Sequence, residues 1–185
     1  ASSGRASATA TGCTRQHGFV PAATLGLTGQ RNADQLLLDA WGDPIRYSVS
    51  RSDANGDGRW DFVQPGQMRT VTMATLAPDL QVCTTATGSS ATACASAAAT
   101  VVANAPAVVF SMGKDWANFT STDELENAGA TVSGGPSGLT YRVPNDIVFV
   151  SRTLSARTGA VFDDIVNWVS PSSLYGQMVA AGRLP

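Results

Sequence analysis

The segment from Asp53 to Asp61 carries oxygen-bearing side chains at every second residue. Three aspartates and one asparagine alternate there with other residues, and glycines that permit a sharp turn lie between them. Ca²⁺ takes about six to eight oxygen ligands, and a tightly curled loop with this spacing directs alternate side chains towards one point. The predicted calcium ligands are the side chains of Asp53, Asn55, Asp57 and Asp61 and the backbone carbonyl of Arg59.

The loop departs from the helix-loop-helix calcium pattern at Gln64, where that pattern places a bidentate glutamate. With one anionic ligand fewer, we expect weak affinity, with a dissociation constant of about 10⁻⁴ to 10⁻³ M. The same segment contains Asn55-Gly56 and Asp57-Gly58, dipeptides that are typical of β-hairpin turns. The alternative is therefore a plain turn between a strand that begins at Ile45 and one that begins at Trp60.

Cys83 and Cys94 flank a segment of Thr, Ser, Ala and Gly that is typical of a surface loop. Because no metal-ligand spacing accompanies them, we expect a disulfide between the two, with unrelated buried thiols as the alternative. Closing a loop of this size stabilises a fold by roughly 2 to 3 kcal/mol. Cys13 is left over in this arrangement. Disulfides persist in oxidising compartments, so we expect an extracytoplasmic protein, in the periplasm or on a cell-surface filament.

Two patterns resemble parts of nucleophilic catalytic sites, and both are weak. Ser111 and Lys114 match the Ser-x-x-Lys of penicillin-recognising serine enzymes, but the partner motifs are absent because Lys114 is the only lysine. His17, the only histidine, lies in a polar stretch typical of a surface residue. Asp163 and Asp164 would point to opposite faces of a strand, which leaves one of them solvated. We therefore expect no enzymatic activity and no organic cofactor.

The composition fits one β-rich domain, because 185 residues can bury a single sizeable core. The net charge is -2 and the arginines form no run, which argues against nucleic-acid binding. No stretch reaches the roughly 18 apolar residues that a membrane-spanning helix needs. We expect a flexible N-terminal tail over residues 1–17 and a single globular head domain over residues 18–185.

Period-two alternation and turn signals predict an α+β fold dominated by antiparallel β-sheet, with a few short helices. A helical turn is expected at 32–38. A brief helix is expected within 121–129, which has a serine cap, acidic residues in its first turn and a terminal glycine. A final helix is expected to begin at Pro171 and to end at Gly182. The predicted strands lie at 45–50, 60–63, 70–76, 107–112, 147–153 and 164–169, and the last two are expected to form a hairpin.

Several segments resemble prepilin-type minor pilins and the pseudopilins of type II secretion. They are residues 12–14, 18–27 and 38–49, and the carboxyl end at 162–170, Leu174 and 178–185. The segment 38–49 contains the run Asp-Ala-Trp-Gly-Asp-Pro-Ile-Arg-Tyr at 39–47. The run at 39–47 is moderately specific, since it recurs in that family as a turn into the first strand of the sheet. The likeness brackets nearly the whole chain.

The resemblance implies a head of antiparallel strands packed on the end of a long N-terminal helix, whose apolar half anchors the precursor in the inner membrane and later forms the filament core. We expect that this helix has been truncated or is encoded separately. The implied function is that of a structural subunit of a type IV pilus or type II secretion filament, with other pilin or pseudopilin subunits as partners and calcium on a head loop. The alternative is a secreted calcium-binding adhesin or carbohydrate-binding module that uses Trp41, Trp60, Trp116 and Trp168.

Overall fold

The computed structural model describes residues 8–9, 12–13, 15–133 and 137–184. The expected tail over residues 1–17 lies largely outside these ranges. The strands are β1 (Ala8–Thr9), β2 (Gly12–Cys13), β3 (His17–Phe19), β4 (Arg46–Val49), β5 (Leu80–Cys83), β6 (Thr100–Ala105), β7 (Ala107–Ser111), β8 (Ala130–Ser133), β9 (Thr140–Val143), β10 (Val148–Val150) and β11 (Ile165–Trp168). The helices are α1 (Thr122–Ala128) and α2 (Pro171–Ala180), with short 3-10 helices at Gln67–Arg69 and Ala97–Ala99.

Four strands form an antiparallel sheet in the order β11-β7-β4-β3. Its register places Arg46, Phe110 and Val166 in one row, and all three side chains are buried. Val109 and Asn167 are paired in the next row and point to the opposite face, because side chains alternate along a strand. One face of this sheet therefore lies in the main core. The opposite face is exposed at Val109 and is covered in part where Tyr47 packs against a cluster of Val20, Ala22 and Leu37.

Strands β10, β5 and β6 form a second sheet, in which β5 and β6 are antiparallel and β10 runs parallel to β5. Residues from both sheets and from α1 form one hydrophobic core: Leu80, Val82, Ala105, Val108, Phe110, Met112, Ala128, Phe149 and Val166. Complete burial of one large apolar side chain stabilises a fold by about 1.5 to 3 kcal/mol. This shared core therefore holds the two sheets and the helix together.

Arg46 lies on the buried face of the four-stranded sheet and is 1% exposed. It forms an ion pair with Asp43, which is also buried. It also donates hydrogen bonds to the backbone carbonyls of Pro44 and Arg142, each at 2.6 Å. A buried charge is stable only when it is paired in this way. The pairing fixes the turn that precedes β4 against the core.

Helix α1 begins after Ser121, whose hydroxyl accepts a hydrogen bond from the backbone N–H of Glu124 at 3.3 Å. The helix ends at Gly129, whose φ of 61° favours glycine. The buried side chain of Asn127 donates to the carbonyl of Val150 at 2.9 Å and accepts from its N–H at 2.7 Å. These bonds attach α1 to β10, so the short helix is part of the core.

Several local predictions are confirmed by the structure. The fold is α+β, with mostly antiparallel sheets and two short helices, one of them near the C-terminus. The apolar run at 107–112 forms β7, an interior strand of the four-stranded sheet. Residues 39–44 form a turn, in which one carboxylate oxygen of Asp39 accepts from the N–H groups of Trp41 and Asp43. Helices α1 and α2 lie where capping signals placed them.

The predicted hairpin between the last two strands is wrong. Strand β10 pairs in parallel with β5, whereas β11 pairs antiparallel with β7 in the other sheet. Both strands are short and apolar, and such a pattern does not specify the partner of a strand. Contacts distant in the sequence decide the pairing.

The strands predicted at 60–63 and 70–76 are also absent, since residues 50–79 form turns and one 3-10 helix. Their apolar side chains pack instead on the C-terminal helix, in a cluster of Phe62, Met68, Val71, Leu76, Leu174, Tyr175, Met178 and Leu184. The simple hairpin from Ile45 to Trp60 is therefore wrong, because β4 pairs with β3 and β7. The expected helical turn at 32–38 is a turn held by the side-chain oxygen of Asn32.

His17 is not the surface residue that its polar neighbours predicted. It lies in β3 opposite Ser48, is only partly exposed, and its Nδ1 is 2.8 Å from the Ser48 hydroxyl oxygen. Burial, together with the positive charge of Arg51, lowers the pKa of His17 from 6.5 to about 4. The folded protein therefore keeps this imidazole neutral under mildly acidic conditions.

The predicted disulfide between Cys83 and Cys94 is present, with 5.6 Å between the two Cα atoms. The loop that it closes lies against acidic side chains. The backbone N–H of Ala86 donates to Asp123 at 2.7 Å, and that of Gly88 donates to Glu126 at 2.8 Å. The loop is thus attached to α1 as well as to the end of β5.

Removing the disulfide with the double substitution Cys83→Ala and Cys94→Ala is expected to lower the free energy of unfolding by about 2 to 3 kcal/mol, because the unfolded chain regains the entropy of an open loop. Denaturant titration of the oxidised wild type, the reduced wild type and the variant measures the loss. Equal stability of all three proteins would contradict the structural role of the bond.

The low pKa of His17 predicts a pH dependence of stability. The unfolded chain takes up a proton near pH 6.5 and the folded chain only near pH 4. The free energy of unfolding should therefore fall as the pH drops through this window, with a His17 contribution of up to about 3 kcal/mol. In His17→Gln this contribution is absent, so urea titrations between pH 7 and pH 4 should show a shallower loss. Parallel profiles for the two proteins would refute the assignment.

Candidate functional site

The Asp53–Asp61 loop is curled around the carboxylate of Asp53. One oxygen of Asp53 accepts from the N–H of Asp57 at 3.1 Å, and the other accepts from the N–H of Gly58 at 2.8 Å. Gly56 and Gly58 have φ angles of 69° and 79°, which other residues rarely adopt. Asp57 in turn accepts from the N–H of Arg59 at 2.8 Å. The glycines therefore allow the tight curl that the sequence pattern requires.

Asp61 is the last residue of the loop, and its side chain is only 1% exposed. One of its carboxylate oxygens accepts from the Ser52 hydroxyl and from the N–H of Ala54, each at 2.9 Å. The other oxygen is buried and has no hydrogen-bond partner among the residues that the structure describes. An unpaired oxygen on a buried carboxylate is costly unless a donor or a cation approaches it.

The predicted calcium ligands lie in one loop, but their carboxylates are not brought together as a ligand shell. Asp53, Asp57 and Asp61 do not form a group whose ligand atoms all lie within 4.8 Å of one another. The Asn55 amide donates to the Thr70 hydroxyl at 3.1 Å. The calcium site thus stays a prediction, and the unpaired oxygen of Asp61 is the observation in its favour.

A second acidic group, formed by Asp115, Glu124 and Asp163, does converge. One ligand atom from each of these residues lies within 4.8 Å of those from the other two, and this is the one such group of His, Cys, Asp and Glu in residues 15–133 and 137–184. We call it the carboxylate cluster. Glu124 belongs to α1 and is 0% exposed, whereas Asp115 and Asp163 are partly exposed.

Backbone contacts position the carboxylate cluster. The N–H of Lys114 donates to Asp163 at 2.9 Å, and the N–H of Asp163 donates to Glu124 at 3.3 Å. Gly113 has a φ of 67°, and a Cβ at this position would lie 1.9 Å from a carboxylate oxygen of Asp163. Only glycine therefore lets the turn after β7 come this close to Asp163.

Asp164 adds a fourth carboxylate behind the cluster and is 4% exposed. The side-chain amide of Asn127 donates to one of its oxygens at 2.7 Å. Burial raises the pKa of Asp164 to about 8, and the charges of Glu124, Asp163 and Asp115 act in the same direction. Burial and the charge of Glu124 raise the pKa of Asp115 to about 6. The region thus concentrates acidic groups, and burial together with their mutual repulsion favours the protonated forms of Asp164 and Asp115.

No local pattern in the sequence indicated the carboxylate cluster, and the expectation for Asp163 and Asp164 is wrong. Asp163 and Asp164 precede β11 and are not strand neighbours with one side chain in solvent, because Asp163 joins the cluster and Asp164 is buried. Glu124 and Asp163 are 39 residues apart in the chain. The acidic first turn of α1 explains Glu124 as a helix-start residue, so nothing local marked it as part of a site.

The weak catalytic pattern at Ser111 and Lys114 has an ordinary structural explanation for its serine. The Ser111 hydroxyl donates to a carboxylate oxygen of Asp39 and accepts from the N–H of Gly113 at 3.2 Å. Lys114 is exposed, and its backbone N–H binds Asp163. Ser111 therefore links the turn before β4 to the end of β7.

Exposed apolar side chains occur on the outer face of the four-stranded sheet. Val109 is 38% exposed and Ile165 is 46% exposed. They share this face, because Ile165 is paired with Ser111, two residues beyond Val109 on β7. Trp116 and Trp168 are also partly exposed, but they line two separate surface pockets.

Comparison of the chain with protein-family models, with curated proteins and with solved structures gives no match. Among the residues that the structure describes, no helix has the length and apolar character required to cross a membrane.

Proposed function

We propose that this chain is the head of a pilin-like filament subunit, a minor pilin or pseudopilin, that acts outside the cytoplasm through assembly rather than catalysis. The observation that carries the proposal is the four-stranded antiparallel sheet, whose outer face carries exposed apolar side chains as well as polar ones. Its inner face is buried in the core, while Val109 and Ile165 leave apolar surface exposed on its outer face. The resemblance of the sequence to pilin heads assigns a packing role to such a sheet.

The outer face has the character of a contact surface. A sheet that needs only one partner usually alternates apolar residues towards the core with polar residues towards water. Here β7 places Val108 and Phe110 in the core and Val109 on the outer side, so it is apolar on both faces. Adjoining exposed apolar residues of this kind favour contact with another polypeptide.

The disulfide supports a location outside the cytoplasm. Structural disulfides persist in oxidising compartments and are rare in the cytosol of most organisms. The bond from Cys83 to Cys94 closes a loop with little apolar material, which a covalent link stabilises. The periplasm or a cell-surface filament is the compartment that suits both the bond and an assembly role.

Calcium at the Asp53–Asp61 loop is the second part of the proposal. The ion would use the side chains predicted from the sequence, and the unpaired buried oxygen of Asp61 would gain the partner that it lacks. Binding would pull together side chains that hydrogen bonds with the loop backbone now hold apart. The ion would stabilise a segment of turns that is otherwise held to the fold by its cluster with α2.

If Val109 and Ile165 on the outer face of the four-stranded sheet contact other subunits, this chain should be found in filaments and should need both residues to enter them. Immunogold labelling with an antibody to this chain should mark surface or periplasmic filaments of the cell that produces it. The paired substitution Val109→Asp and Ile165→Asp should abolish incorporation without unfolding the head, because it places charge on an exposed face. Leu154→Asp is the matched control, since Leu154 is 65% exposed and outside the sheet. Diffuse label with wild type, or filaments that contain the paired variant, would refute the assignment.

Calcium should raise the free energy of unfolding relative to chelator, by about 2.7 kcal/mol for one site at a hundredfold excess over its dissociation constant. Asp57→Asn keeps the acceptor for the N–H of Arg59 but removes a charge, so it should lose the contribution of the loop. The control is Asp79→Asn, because Asp79 accepts from the N–H of Arg51 outside the loop. Thermal unfolding with Ca²⁺, Mg²⁺ or chelator measures the effect. An equal response of Asp57→Asn and wild type would show that the loop is only a turn.

A further inference from the structure

The carboxylate cluster brings together oxygens from three parts of the chain. Asp115 lies in the turn after β7, Glu124 in α1, and Asp163 in the segment that leads into β11. One ligand atom from each of the three lies within 4.8 Å of the others. Two oxygens on opposite sides of a bound Ca²⁺ are separated by at most about 4.6 to 5.2 Å, twice the Ca–O distance. The spacing therefore fits a single ion between the three side chains.

The buried carboxylate of Glu124 is a second observation that points to a ligand in the carboxylate cluster. Its side chain is 0% exposed, and one of its carboxylate oxygens has no hydrogen-bond partner within the described part of the chain. The other oxygen accepts from the N–H of Asp163 at 3.3 Å, so the carboxylate is directed at the cluster. Asp115 and Asp163 each contribute a further buried oxygen without a partner. All three residues of the cluster thus have an unused acceptor.

The carboxylate cluster has no ion-pair partner among the residues that the structure describes. The ion pairs found in residues 15–133 and 137–184 join Arg46 to Asp43 and Arg152 to Asp123, and neither includes a member of the cluster. The charges that act on Asp115 come from Glu124 and Asp163 and are both negative. Carboxylates this close together need either bound protons or a cation.

We propose that Asp115, Glu124 and Asp163 form a binding site for a divalent cation that prefers oxygen ligands, with Ca²⁺ as the best fit. Three carboxylates without sulfur or imidazole ligands select hard cations, of which Ca²⁺, Mg²⁺ and Mn²⁺ are the common ones. Mg²⁺ requires shorter bonds and more regular geometry, so it fits a fixed protein cage less readily. This site is separate from the Asp53–Asp61 loop and does not depend on the proposed function.

A cation at this site would join the two sheets through α1. Asp115 follows β7 and Asp163 precedes β11, and these two strands are paired in the four-stranded sheet. Glu124 belongs to α1, which Asn127 attaches to β10 of the other sheet. Binding would replace repulsion between the three carboxylates with attraction to a common charge. The ion would therefore act as a structural cross-link inside the fold.

Isothermal titration with CaCl₂, followed by MgCl₂ and MnCl₂, tests the proposal on the intact chain. Asp57→Asn serves as the background that removes the loop site, and one bound Ca²⁺ should remain. Adding Glu124→Gln or Asp115→Asn to this background should weaken the remaining site by more than about tenfold, because each removes one anionic ligand. Asp115→Asn decides the matter if Glu124→Gln fails to fold, since Asp115 is partly exposed. Glu126→Gln is the control, because it neutralises another buried carboxylate of α1 outside the cluster.

Thermal unfolding is a second test, in which the effect of Glu124→Gln on stability should differ between chelator and Ca²⁺. In chelator, Glu124→Gln should be more stable than wild type, because it relieves repulsion among the carboxylates. In saturating Ca²⁺ it should gain less stability than wild type gains. If Ca²⁺ binds and stabilises the cluster variants as strongly as their background, the proposal is overturned and protons alone neutralise the cluster. If Asp57→Asn has no effect but the cluster variants do, the loop site fails and the cluster site stands.

Discussion

The fold depends on how carboxylates that have left water are neutralised. Moving an ionised carboxylate into the interior costs several kcal/mol unless a donor, a proton or a cation compensates it. Asp43 is compensated by Arg46, and Asp34 by hydroxyl donors from Ser137 and Tyr141, which lower its pKa. Asp164 receives one bond from Asn127 and has a raised pKa. These carboxylates lie at junctions between elements. The contacts that neutralise them therefore also hold the elements together.

The short helix α1 forms several of these junctions. Helix α1 has only seven residues, too few for a stable helix in isolation. It nevertheless attaches to β10 through Asn127, accepts N–H groups of the disulfide loop through Asp123 and Glu126, and contributes Glu124 to the carboxylate cluster. Its polar side chains thus connect β10, the disulfide loop and the carboxylate cluster.

Local signals in the sequence were sufficient for the two helices and the disulfide loop, but not for every strand or for the way the strands pair. Ser121 and Gly129 bound α1, Pro171 opens α2, and the cysteines close a loop, because each effect acts over a few residues. The parallel pairing of β10 with β5 and the docking of Phe62 and Leu76 on α2 depend on contacts distant in the sequence. The carboxylate cluster could not be predicted for the same reason, since its three members look like ordinary helix-start and turn acids. The loop at Asp53–Asp61 was identifiable because all its residues are consecutive.

We propose that cations, rather than protons alone, neutralise acidic groups in this protein. The most direct measurement is a crystal structure of the chain grown with Ca²⁺, with anomalous difference density collected at long wavelength. We predict one peak among Asp115, Glu124 and Asp163 and a second within the Asp53–Asp61 loop. Well-ordered carboxylates at both places without anomalous density would contradict this proposal, and would leave shared protons and backbone hydrogen bonds as the only neutralising groups.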